Sequence, residues 1–240
     1  MFECSRQVDG LFGSRRRWRA FARRGVVTAL VLVGSLAPTS AATYTVRHLV
    51  DSWAIGDGCS LREAIAAHNA TGFGSNECGP FDSFEDKIVF AKGVTGILPL
   101  NPGLGELVLN APSVSIQGPG ASRLAISGAK EMSVLVLAAS APPQVTIRGL
   151  TLRDGLGRAD ATGFNARGGG IRVEYDPALP WAPPSLLIED AALFNNTCEL
   201  VGNSWGAAIR SYGNLVIRRT KVTANRSDLG IISHDGTLTL

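Results

Sequence analysis

The sequence predicts an all-β solenoid with one short helix near its front. Three observations carry that prediction. A strand-sized phrase recurs: Val145 to Leu152 aligns without gaps with Leu186 to Leu193 and with Leu215 to Val222, and Leu238-Thr239-Leu240 begins it again. A unit this short cannot bury its apolar face alone and must stack on its neighbours. From Asp86 onward, short apolar runs alternate with Gly, Pro, Asn and Ser, the pattern of strands and tight turns. Only one segment carries a helix start signal.

Taken in order, the chain opens with a basic stretch from Arg15 to Arg24, then the apolar run Gly25 to Val33, then small residues at Ser40, Ala41 and Ala42. That is the plan of a secretory signal peptide over 1–42, its apolar run too short to span a bilayer. The chain has 23 Lys+Arg and 20 Asp+Glu, and 1–42 holds seven of the arginines and two of the acids. The rest carries 16 basic and 18 acidic groups, near −2, so the basic footprint that nucleic-acid binding needs is missing.

Thr43 to Val50 alternates as one strand. Ser60 with Glu63 three positions later forms a capping box, which predicts a helix of about ten residues over Ser60 to Asn69 with Leu61, Ala64, Ile65 and His68 on one stripe. Trp53, close to that helix, is expected in the core. Cys59 and Cys78 flank a Gly- and Asn-containing segment and are candidates for a disulfide in an oxidising compartment. Cys198 is left over as a small buried residue or a free thiol.

Six strands are expected next, around Ile88-Val89-Phe90, Ile97 to Leu100, Leu107 to Leu109, Val114 to Ile116, Leu124 to Ile126 and Leu135 to Leu137. Within the repeated phrase, Val145, Ile147, Leu150 and Leu152 and their equivalents point inward. The alternation slips by one at Gly149, Asp190 and Arg219, which predicts a bend there. Stacking at about 4.8 Å would align Val145, Leu186, Leu215 and Leu238 inside and Arg148, Glu189 and Arg218 outside. Asn196 and Asn225 share one offset after their phrases, as stacked turn asparagines would. The longest insertion, from Tyr175 to Pro184, reads as an excursion from the stack.

Cys59-Ser60-Leu61-Arg62-Glu63-Ala64-Ile65, followed by Asn69, resembles the CSLREA motif at the front of secreted bacterial right-handed parallel β-helix proteins. Gly168-Gly169-Gly170-Ile171 and Gly206-Ala207-Ala208-Ile209 are similar to the Gly-Gly-x-Ile phrase of polymorphic outer-membrane protein repeats. The resemblance covers nearly everything after residue 43. It implies a right-handed parallel β-helix with a capping helix, a cap over 43–110 and coils over 111–240, incomplete at the C-terminus.

That fold also hosts polysaccharide lyases and hydrolases, so it does not decide the chemistry. A hydrolase needs two carboxylates about 5–9.5 Å apart. The candidate acids are Asp154, Asp160, Glu174, Asp176, Glu189, Asp190 and Asp228, and aligning the phrases sets Glu189 against arginines rather than stacking two acids. No catalytic residue, metal site or cofactor is therefore expected, His48, His68 and His234 forming no ligand-spaced set. Tyr175, Trp181, Trp205 and Tyr212 are the candidate binding residues, placed to stack on sugar rings, to seat in a partner's pocket, or to plug the loops and ends of the coil. The expected role is a monomeric, secreted or cell-surface structural module, adhesin-like, for surface polysaccharide or a protein of a host or neighbouring cell, without nucleic acid or a membrane span. The alternatives are a carbohydrate-active enzyme with its site in loops or further coils, and an intracellular structural protein.

Overall fold

Successive strands of this chain lie parallel and in register. The computed structural model describes residues 41–69, 77–79, 85–111, 113–138, 144–159, 165–174, 183–199 and 203–240. The first sheet has seven strands in sequence order: Thr43–Val46, Asp86–Phe90, Ser113–Gln117, Gln144–Arg148, Ser185–Glu189, Asn214–Arg218 and Leu238–Thr239. The second has five, Gly96–Pro99, Leu124–Ser127, Thr151–Arg153, Ala192–Phe194 and Lys221–Thr223. The third also has five, Leu107–Leu109, Leu135–Leu137, Ile171–Val173, Ile209–Ser211 and Ile232–His234. The chain visits first, second and third sheet in turn and then repeats the circuit, and all three sheets are parallel throughout. The protein is thus all-β in character, and each of the six expected apolar runs forms a strand. The opening strand is shorter than its alternation suggests, ending at Val46, because Arg47 N–H turns away to the Cys59 carbonyl.

Registry makes columns of like side chains. Tyr44, Ile88, Ile116, Ile147, Ile188 and Ile217 align on the first sheet, beside Val114, Val145, Leu186, Leu215 and Leu238. Leu98, Ile126, Leu152, Leu193 and Val222 align on the second, and Leu107, Leu135, Ile171, Ile209 and Ile232 on the third. Most members are buried in one continuous core, each contributing roughly 1.5–3 kcal/mol. Leu238, on the sheet's edge strand, is 43% exposed.

Both bends of the phrase have a backbone cause. Gly149, Asp190 and Arg219 take left-handed conformations with φ of 64°, 49° and 44°, and Asp154, Asn195 and Ala224 repeat the device after the second strand with φ of 50°, 54° and 58°. Such conformations cost non-glycine residues roughly 1–3 kcal/mol and need external support. Asparagines supply it at the second bend. Asn196 Oδ1 accepts from Gly155 N–H at 2.9 Å, and its Nδ2 donates to the Leu152 carbonyl at 3.2 Å. Asn225 repeats this one circuit on, accepting from Asn196 N–H and donating to the Leu193 carbonyl, both at 2.9 Å. At the first bend the support is ionic: Arg219 binds Glu189 and Asp190, and Arg148 reaches the same acids. Glu189 lies opposite Arg148 and Arg218 as expected, but the guanidinium that holds both acids is Arg219, one residue further on.

The helix runs from Leu61 to His68 with both halves of the capping box formed. Every residue in it is buried, polar ones included, rather than one apolar stripe. The reason lies in its partners. Arg62 makes a two-pronged pair with Asp51, both bonds 2.7 Å, and donates to the carbonyls of Leu104, Gly105 and Glu106. Asn69 donates to the Val108 carbonyl at 2.7 Å and accepts from Asn110 N–H at 3.1 Å. These carbonyls and amides lie on and beside Leu107–Leu109, the edge strand of the third sheet. Side chains of the helix and its cap thus occupy hydrogen-bonding positions that another strand would use, which closes the edge. His68 Nδ1 meets Asp86 at 2.8 Å beneath the helix, both fully buried, with Asp86 also accepting from Ala42 N–H.

Cys59 and Cys78 form a disulfide with Cα atoms 4.8 Å apart. Its neighbour Glu77 accepts from Gly56 and Gly58 N–H, fixing the loop before the helix. Trp53 departs from expectation: it is 42% exposed, with Arg62 6.0 Å from its ring centre. The Arg62 guanidinium, not the indole, meets the carbonyls beside the strand edge. Among the described residues, no helix is long and apolar enough to cross a membrane.

Two stability tests follow from these networks. Asn196→Ala strips partners from two buried backbone groups of the preceding circuit, Gly155 N–H and the Leu152 carbonyl, so chemical denaturation should show a loss of about 2–4 kcal/mol. A loss below half a kilocalorie would mean the asparagine ladder is ornamental. Asn69→Ala should leave most of the stability intact but uncover the strand edge, giving concentration-dependent association in sedimentation; a monomer at all concentrations would refute the sealing role.

Candidate functional site

The third sheet hands the chain to the first through short turns that stack on one another. Pro183 and Pro184 precede one first-sheet strand, Tyr212-Gly213 leads into the next, and Asp235-Gly236-Thr237 leads into the one after. Close stacking demands glycine here. A Cβ on Gly213 would lie 2.1 Å from the Pro184 carbonyl oxygen, and one on Gly236, where φ is +149°, would lie 2.5 Å from the Gly213 oxygen. The missing side chains leave a corner groove of about 590 Å³ lined by Pro183, Tyr212, Gly213, Asn214, Asp235, Gly236 and Thr237.

The third sheet sets the wall. Arg210 pairs with Ser233 in register, and its guanidinium donates to Ser233 Oγ at 2.6 Å and to Asp235 at 2.5 Å. It lies 4.0 Å from the centre of the Tyr212 ring and 5.9 Å from that of Trp205. Arg167, aligned with Trp205, reaches within 5.9 Å of the Tyr212 ring. Arg210 is only 9% exposed, and its Nε has no hydrogen-bond partner among the described residues. Cation–π contact of this kind, partly desolvated, fixes the ring in place and contributes roughly 0.5–2 kcal/mol.

Two of the four aromatic candidates, Trp205 and Tyr212, therefore converge on one cationic centre, with Tyr212 lining the groove. Tyr175 and Trp181 lie outside the described residues. Sequence reasoning missed Arg210, Asn214, Asp235 and Thr237. A signal for three of them existed: Gly213-Asn214-Leu215 and Gly236-Thr237-Leu238 occupy one offset before the repeated phrase, and Asp235 precedes the second.

Of the other candidate acids, Asp228 is exposed, its N–H donating to Ser204 Oγ at 2.8 Å, and the rest of those described are bonded elsewhere. Asp154 is bound by Arg153 and Asn195, and Glu174 shares Arg172 with Glu106. The hydrogen bond from Arg219 holds the Asp190 carboxyl below the usual carboxylate range, so it stays ionised and cannot serve as a proton donor at neutral pH. Asp160 and Asp176 lie outside the described residues. Glycosylation-like patterns at Asn195 and Asn225 are likewise occupied, their amides donating to Asp154 and to the Leu193 carbonyl.

A second cleft of about 330 Å³ lies beside the helix, lined by Trp53, Ile65, Leu107 and Val108 with Arg62, Asn69 and Glu106. Arg62, Asn69 and Glu106 are already bonded, to strand-edge carbonyls, to Asp51 or to Arg172, and a fourth polar residue of the lining, Asn110, is half-buried. The corner groove instead keeps exposed polar groups at Asn214, Asp235 and Thr237.

Comparison with family models, with curated proteins and with solved structures finds no match to this chain.

Cys198 is buried, with Sγ donating to the Trp205 carbonyl at 3.4 Å. Burial pushes its thiol up to about 11, so it stays protonated and non-nucleophilic at neutral pH. Iodoacetamide should leave Cys198 unlabelled in the native protein at pH 7.5 and label it only on unfolding. Fast labelling of the folded chain would contradict this burial.

Proposed function

We propose that the three sheets wind as one right-handed parallel β-helix, that residues 1–42 direct its export, and that the mature protein is a secreted or cell-surface binding scaffold without catalysis of its own. The cyclic order of the sheets supports the coil, and the strong preference of parallel crossovers for right-handed connection supports its hand. The parallel, in-register strands and the sealed helix end support the resemblance to CSLREA-type proteins. The Cys59–Cys78 bridge supports an oxidising destination.

One observation carries the functional reading most directly: an open corner groove is lined by an aromatic ring and three exposed polar side chains, while Asp154, Glu174, Glu189 and Asp190 are bonded to arginines outside it. Rigid aromatic platforms with few polar neighbours suit recognition of a surface polysaccharide or of a neighbouring protein. Charge-paired acids do not suit glycoside cleavage, which needs one carboxyl held protonated.

Expressed in full, the chain should be recovered outside the inner membrane with a new N-terminus at or near Thr43. It should release no reducing ends or unsaturated products from polysaccharides. Cytoplasmic retention of the intact chain would overturn export, and product release abolished by Asp154→Asn or Asp190→Asn would overturn the non-catalytic reading.

A further inference from the structure

We infer that the corner groove is a binding site for an uncharged polysaccharide, with Tyr212 as its stacking platform, Asp235, Asn214 and Thr237 as its hydroxyl-binding groups, and Arg210 as the positioning residue behind the ring. This rests on the binding-scaffold reading and narrows it to a ligand class and a site. The groove passes over three successive turns, Pro183, Tyr212 to Asn214 and Asp235 to Thr237, so it follows the direction in which strands stack. Its glycine floor raises no side chain across that path. An extended chain fits such a trough better than a compact molecule, and the volume of about 590 Å³ falls among small-ligand sites, about 300–1,000 Å³.

The chemistry of the walls selects the class. Arg210 supports Tyr212 at 4.0 Å and orients Asp235 through one carboxylate oxygen. A carboxylate offers about four lone-pair positions, so Asp235 keeps acceptors for sugar hydroxyls after that bond. Asn214 and Thr237 are exposed in the same lining, and each both donates and accepts. Among the described residues that line the groove, Asp235 is the only ionisable acid or base apart from the Tyr212 phenol. A uronate or sulfated sugar would meet that negative charge, and the nearest guanidinium is already bound to Asp235 and Ser233. An uncharged sugar avoids the repulsion and uses the same groups.

The test uses the exported full chain in affinity electrophoresis and calorimetry against soluble neutral glucans, polygalacturonate and whole cells. Neutral glucan binding should fall about tenfold or more in Tyr212→Ala, hold in Tyr212→Phe, and fall in Asn214→Ala and Thr237→Val, two exposed positions whose replacement leaves the core untouched. Arg210→Met should weaken binding and sharpen or shift the Tyr212 ring signals in NMR, as release of the platform requires. Preference for polygalacturonate would overturn the assigned class while leaving the scaffold reading. Neutral glucan binding unchanged by all the groove variants would overturn the assigned site. Binding to cells without binding to any glycan would overturn this inference alone, and binding to neither would remove the scaffold reading with it.

Discussion

The parallel hydrogen-bonded ladder between equivalent strands is the constraint on which the rest of this structure depends. In a parallel ladder each strand satisfies its backbone only through the strands before and after it. Registry is then inherited: once Leu186 lies opposite Val145, Ile188 must lie opposite Ile147 and Glu189 opposite Arg148. Every column, apolar or charged, follows from that alignment. A slip of one residue would turn the aliphatic columns outward and drive Arg148, Glu189 and Arg218 into the core.

Stacking also explains why so many residues at the corners are small or left-handed. Successive turns approach to the spacing of the ladder, about 4.8 Å, which leaves no room for side chains directed along the stack. Gly155 and Gly169 show this: a Cβ on either would sit 1.9 or 2.2 Å from a neighbouring carbonyl oxygen. The Gly-rich phrase at Gly168 is therefore a packing requirement, with φ +61° at Gly168 matched by +64° at Gly206. Where glycine is absent from a left-handed bend, asparagine side chains or arginine–acid pairs hold the backbone. The corner groove grows from the same requirement, since glycines that let the turns stack also leave a trough.

A ladder must end, and the helix shows one way to end it. Arg62 and Asn69 meet backbone groups at the third sheet's edge with side-chain atoms, Asp51 accepts from Asn101 N–H just after the second sheet's edge strand, and His68 with Asp86 forms a buried polar pair below. The residues from Cys59 to Asn69 fall on this seal: Cys59 in the disulfide, Ser60 and Glu63 in the capping box, Arg62 and Asn69 on the strand edge. Trp53 stays at the surface beside this seal, lining the cleft next to the helix.

The sequence by itself determined the strands, the helix and its cap, the inward positions and the columns, because alternation and repetition are local patterns that survive when each strand meets a copy of itself. It also determined the bends at Gly149, Asp190 and Arg219, where the alternation visibly slips. Only the tertiary structure decided which charges pair and which polar groups remain open. Arg219 rather than Arg218 holds Glu189 and Asp190, since a bend redirects side chains in a way linear spacing does not encode. Arg210 meets Tyr212, Trp205 and Asp235 because neighbouring circuits lie one ladder spacing apart, although Asp235 is 25 residues further along the chain. A site built across circuits is set by registry in three dimensions, and no contiguous segment of the chain contains it.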